Sequence, residues 1–494
     1  MRFFALVLGL LLPAWAWADP IGYEGARHLL NRVGFGATDA EIRAFATLER
    51  AEAVDRLLAG ARREASLKPP AFVDEPFTPY ARLAQLNAQE RERDLARRLA
   101  EIAQLRDWWL REMLATSSPL TERMTLFWHG HFATSQQKVR SAQLMYRQNA
   151  LLRREALGNF ATLLHEVARD PAMLVYLDNA RSRRQAPNEN FAREVMELFT
   201  LGEGHYGERD VKEAARAFTG WSIDGETGTF VSRAAWHDPG PKTVLGKTGR
   251  FDGREVLDIL LARDETAEFI SAKLWREFVS PVPDAGEVRR LGAVFREARY
   301  EVKPLMRALL LSESFWSPEN RGVLVKSPVE LVVGMLRVFE VRPMDLRAAA
   351  IVCALLGQNP FAPPNVKGWP GGDAWINSST LLGRKQAVER LLKNDDRGGP
   401  QAVGAMERRP QLVGAEMDAR NPPAASREER LRRAMERGLA AYQVDWPRWS
   451  RAAPEDEKLH LLLLAIEPAH EMPPASTRSE RAQRLAGDPV FQLK

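Results

Sequence analysis

Residues 187–206 read PNENFAREVMELFTLGEGHY. Pro187 cannot continue a helix from upstream, Asn188 is a favoured N-cap, Glu189 puts negative charge in the first turn, and Gly202 and Gly204 supply a stop. The spacing therefore predicts a helix from about Glu189 to Leu201. At about 100° per residue, Phe191, Val195, Leu198 and Phe199 share one arc that must face a core. Glu189 and Arg193, on the far side at i,i+4 spacing, read as an exposed pair worth a few tenths of a kcal/mol. Asn190, Glu194 and Glu197 recur at i, i+4, i+7 along one border of the buried arc, which leaves two carboxylates half-buried. Carboxylates removed from water need a cation, hydrogen bonds or a metal. Either an Arg or Lys from a neighbouring helix neutralises them, or they form a site that binds a metal or a cationic group or does acid/base work.

Downstream, Glu208 to Gly220 has the pattern of another helix, and the character then changes. Gly225 to Gly253 is rich in glycine, with β-prone pieces at Thr229 to Ser232 and Thr243 to Leu245 that predict a small hairpin, His237 and Asp238 at its tip beside Lys242. A loop histidine makes His237 a ligand candidate, and Lys242 a candidate for holding an anionic group. The string GKT at 246–248 lacks the glycine that a phosphate loop needs where this chain has Pro241, so that motif is rejected. Helical patterns then run to about Leu356. The long loop from Asn359 to Ser379 follows, in which Lys367 and Trp369 offer a cation and a stacking face, or Trp369 and Trp375 plug the scaffold.

Upstream, the longest helical pattern spans about Tyr80 to Ala115, with Leu83, Leu86, Leu95, Leu99, Ile102, Leu105, Trp109 and Met113 in period. Ser118 and Pro119 restart a helix that runs into FWHGHF. If it stays helical, His129 points about 200° away from His131 and the two cannot share a metal; if Gly130 breaks it, an extended His-x-His puts both imidazoles on one side. The first eighteen residues read as a secretory signal, with Arg2, an apolar run from Phe3 to Leu12 and a small-residue site at Ala16 to Ala18. Export, to the periplasm or beyond the cell, makes the cysteine count informative, because Cys353 alone permits no internal disulfide and reads as a small buried residue. No later run is long and apolar enough to suggest a transmembrane segment. The 70 basic and 65 acidic residues are interleaved, which argues against a nucleic-acid surface.

The expected fold is mainly α, a large multi-helix orthogonal bundle with a small β-hairpin insertion at about 225–253. Its expected organisation is a signal peptide over 1–18, a main helical domain over 19–393, a linker or insertion over 394–429 where pattern dissolves, and a C-terminal helical segment over 430–494 that packs on the main domain.

HLLNRVGFG, FWHGHF, DPAMLVYLDN, PNENFAREVMELFTLGEG, AARAFTGW, HDPGPKTVLG, KSPVELV, PPNVKGWPGG and DPVFQLK, in that order, resemble the bacterial exported family catalogued as domain of unknown function 1800. The resemblance implies an exported, mostly helical protein, with an exported sulfatase-like protein as a partner, and no established reaction. Two functions stay open. One is a binding or scaffold protein of the cell envelope that takes a protein partner or an envelope polysaccharide through its tryptophan-rich loop and hairpin. The other is a metal-dependent periplasmic enzyme, a hydrolase or oxidoreductase, in which Glu194, Glu197, His129 or His131 and His237 converge on a divalent metal while Arg193, Lys242 or Lys326 holds an anionic group.

Overall fold

The computed structural model describes residues 19–392, 438, 439, 441–472 and 474–494. The expected signal segment, the 394–429 linker and the start of the C-terminal segment lie outside the described residues. Helices dominate, and among the described residues strand is confined to two small antiparallel two-stranded sheets. No helix among the described residues is long and apolar enough to cross a membrane.

The Pro119–His131 helix runs through the middle of the body and buries residues all around its circumference. Burying charged groups on such a helix is costly unless they are partnered. Glu122 takes two guanidinium bonds from Arg153, at 2.6 and 3.0 Å, and the Trp109 indole N–H at 2.9 Å, all buried. Thr125 Oγ1 donates back to the Thr121 carbonyl. The helix is not broken at Gly130, so the extended His-x-His arrangement does not form and the two imidazoles face different surroundings.

The expected 80–115 helix is two: Tyr80–Gln85, then Ala88–Ala115, restarted by a capping box in which the Asn87 side chain and Glu90 satisfy each other's backbone N–H groups. Leu95 and Leu99 are exposed, contrary to the expected stripe, because only the part of this helix from Glu101 onward meets the body.

The 187–206 segment also departs from a plain helix. The α-helix covers Glu189–Glu194, and Val195–Leu201 is a π-helix. Gly202 N–H donates to the Glu197 carbonyl five residues back, and Thr200 Oγ1 bonds the Val195 and Met196 carbonyls. This widening shifts the helical phase, so Thr200 and Leu201 are buried while Leu198, expected inside, is only half-buried. Gly202, at φ +81°, lies against the Phe269 ring and seats the segment on the Asp264–Phe278 helix.

Both β-prone pieces form strands, but each pairs with a near neighbour and not with the other: Phe230–Ser232 with Trp221–Ile223, and Lys242–Val244 with Lys247–Gly249. In the second pair the turn is Leu245-Gly246, both at positive φ, the two-residue geometry whose twist matches that of the strands. Trp446–Ala452, Leu459–Leu463 and Arg478–Gly487 form helices near the C-terminus, and Val325 bridges Leu493, placing Lys494 inside the body. Cys353 is buried, its thiol pushed up to about 12 by burial.

Candidate functional site: a basic cleft

Three parts of the chain meet around a cavity of about 430 Å³, within the range of small-molecule sites. The Pro119–His131 helix supplies Arg123, Phe127, Gly130 and His131, and the Asp264–Phe278 helix supplies Lys273, Arg276 and Glu277. The loop at 367–375 closes one side with Lys367, Trp369 and Trp375, and Glu330 and Lys494 complete the lining.

The loop can sit this close because of two glycines. A Cβ on Gly368 would lie 2.2 Å from the Gly130 carbonyl oxygen, and Gly368 has φ +85°. Gly130 in turn faces the Trp369 ring, which also packs on His129 at 5.3 Å between ring centroids.

The cleft is electropositive. Arg123, Lys273, Arg276, Lys367 and Lys494 line it against Glu277 and Glu330, and both carboxylates are already engaged. Arg123 reaches Glu277 at 2.5 Å and Glu330 at 3.0 Å, and Lys494 also bonds Glu330. Burial pushes the Glu330 carboxyl upward, but Arg123 and Lys494 outweigh it and hold the group at about 2, so it is ionised. Lys273 and Arg276 have no carboxylate partner among the described residues.

Lys273 is held by a relay that starts at the 187–206 segment. The Phe199 carbonyl lies at the open end of the π-helix, 3.2 Å from His131 Nε2. A carbonyl only accepts, which assigns the ring hydrogen to Nε2 and leaves Nδ1 as the acceptor for Lys273 Nζ at 3.0 Å. Burial, then the Lys273 charge, lowers the His131 pKa far below its usual range, so the imidazole is neutral. Burial, then Arg276, lowers the Lys273 ammonium to about 8. Nζ also lies 4.9 Å from the Phe269 ring centroid.

Of the residues singled out from sequence, His131, Lys367 and Trp369 line this cleft. Glu194 and Glu197 lie close enough to interact, and Lys367 acts on Glu194. Burial, then Glu197, raises the Glu194 pKa, and Tyr206 donates its hydroxyl to Glu197. Among the described residues, neither carboxylate is clasped by an arginine fork.

The remaining candidates are placed elsewhere. Asn190 is exposed, and Arg193 makes a bidentate pair with Glu208, at 2.7 and 2.9 Å, and not with Glu189. His129 is sealed among Trp109, Phe361 and Trp369 with both ring nitrogens unpartnered, and burial lowers it to about 3. His237 Nδ1 faces the Thr219 carbonyl at 3.0 Å. Lys242 Nζ donates inside its own loop to the carbonyls of Asp238 and Gly240 and does not line the cleft. Lys326 Nζ likewise bonds the Phe491 carbonyl. The expected convergence of Glu194, Glu197 and the histidines on a metal does not occur, and among the described residues no three His, Cys, Asp or Glu are grouped to hold one. His129 and His131 point apart on one helix that stays continuous through Gly130, and His237 lies in the loop after Ala234–Trp236.

Sequence reading missed Lys273, Arg276 and Arg123. Lys273 borders the apolar arc formed by Ile270, Leu274 and Phe278, the same signal that drew attention to Glu194, but among many helical lysines and arginines it does not stand out.

The family model described as Protein of unknown function (DUF1800) matches residues 28–485. The chain belongs to this family. In this DUF1800 protein the matched span contains every cleft residue named above except Lys494. No curated protein and no solved structure matches the chain.

Proposed function

We propose that this chain is an exported cell-envelope binding protein whose cleft takes the anionic group of an envelope polysaccharide. The supporting observation is the charge arrangement: Lys273, with no carboxylate partner among the described residues, and the exposed Arg276 leave the cleft with surplus positive charge, because its own carboxylates are already matched to Arg123 and Lys494. Trp369, only partly buried where it lines the same cavity, offers a flat apolar face of the kind on which sugar rings stack. An exported sulfatase-like partner would meet such a ligand too, since sulfate esters on a polysaccharide are anionic groups of this class. Export itself rests on the leader read from residues 1–18.

Titration of the purified protein with oligogalacturonate and with a neutral oligosaccharide of equal length, followed by calorimetry and tryptophan fluorescence, tests the reading. The anionic oligomer should bind at least about tenfold more tightly, and Arg276→Gln should remove most of that preference. Equal affinity for both oligomers, or an unchanged preference in Arg276→Gln, would refute it.

A further inference from the structure

The chain contains several lysines withdrawn from water, and their partners separate them. Lys242 and Lys326 spend Nζ on backbone carbonyls, and Lys494 is bound to Glu330. The cavity beside Lys326 holds only about 20 Å³, room for little more than a water. Lys367 is exposed, with Glu203 at 3.5 Å. Of the lysines that line the 430 Å³ cavity, Lys273 alone among the described residues has no carboxylate ion pair, and its one polar contact is to a nitrogen lone pair.

We propose that Lys273 is a nucleophilic amine that condenses with the carbonyl carbon of a 2-oxo acid entering the cleft, while Arg276, one helical turn away, receives the carboxylate. The geometry suits the chemistry in three ways. No carboxylate stabilises the ammonium form, and the aromatic ring of Phe269 and the guanidinium of Arg276 form its surroundings. His131 Nδ1 accepts one N–H and so fixes where the amine points. With the ammonium lowered to about 8, a useful fraction of neutral amine exists near neutral pH.

The step balances without an oxidant or reductant. The neutral amine adds to the carbonyl carbon, forming a C–N bond and breaking the C=O π bond. A proton passes from nitrogen to oxygen to give the carbinolamine. The proton that the ammonium first gave up to solvent in the open cleft returns to the carbinolamine hydroxyl, and cleavage of the C–O bond then releases water and leaves a protonated imine. Overall, one ammonium and one carbonyl give one iminium ion and one water, with the charge conserved. His131 is a positioning residue here, because its strongly lowered pKa makes it a poor store for the proton.

The oxo-acid assignment rests on the anion reading only for Arg276; the amine chemistry stands without it. The test exposes the full chain to glyoxylate or to propanal with cyanoborohydride and locates the reduced adducts by peptide mass mapping. Lys273 should be modified at least about tenfold faster than the exposed Lys247 and Lys303 by both reagents, with glyoxylate ahead of propanal and that lead abolished in Arg276→Gln. Modification of Lys273 no faster than of the exposed lysines by either reagent overturns the proposal. Fast modification by propanal without any lead for glyoxylate overturns the oxo-acid assignment and the anion reading together, while retaining the nucleophilic amine. Because the wild-type chain carries the comparison, the result does not depend on any variant folding.

Discussion

Replacing Lys273 by Met removes a charge while keeping a long, unbranched side chain, and the structure sets both the sign and the size of the effect. In the unfolded chain the ammonium titrates at its ordinary 10.5; in the fold, burial and then Arg276 bring it to about 8. A base with a lowered folded pKa destabilises the fold while it is charged. That burden is complete below pH 8, shrinks as pH rises from 8 to 10.5, and is gone above both values. The shift corresponds to about 3 kcal/mol at most, and screening by water in an open cleft reduces this to about 2 kcal/mol. Against it stand the hydrogen bond to His131 and the contact with Phe269, together about 1–2 kcal/mol. Lys273→Met should therefore be as stable as the parent or slightly more stable at pH 7, and the parent should gain on it by about 2 kcal/mol by pH 10.5. Urea unfolding of both proteins at pH 7, 8.5 and 10 reads the difference, from which the other titrating groups cancel. A stability difference that stays constant across this range would refute the claim that the fold lowers the Lys273 pKa.

Other consequences are independent of that one. Gly368→Ala forces a Cβ to within 2.2 Å of the Gly130 carbonyl at a positive φ, so it should lower stability by about 2–4 kcal/mol and move Trp369 off the cleft, seen as a change in tryptophan emission. Glu122→Ala strips a buried partner from Arg153 and from the Trp109 indole and should cost about 3–5 kcal/mol in urea titration, far more than Arg193→Ala, which breaks a solvent-exposed pair. Binding of oligogalacturonate should weaken as pH rises through about 8, where Lys273 loses its charge, and this dependence should vanish in Lys273→Met.

The amino-acid sequence by itself determined the helical class, caps that start individual helices, the presence of short strands near residues 225–253 though not their pairing, and the membership that the motif order signalled. These are written in nearest-neighbour terms: a side chain that caps backbone N–H groups two and three residues away, as Asn188 does, needs no distant partner. It also marked His131, Lys367 and Trp369, which meet in the cleft. Their common site depends on Gly130 and Gly368, 238 residues apart, coming into contact, a fact that no local pattern encodes. The half-buried carboxylates Glu194 and Glu197 were legible from period alone, but the histidines expected beside them were not there, because helical phase fixes a residue's direction on its own helix and says nothing about which helix it faces. Only the tertiary structure revealed that the end of the π-helix at Phe199 and the lone amine of Lys273 are joined through His131, since an amine's character is set by what surrounds it after folding.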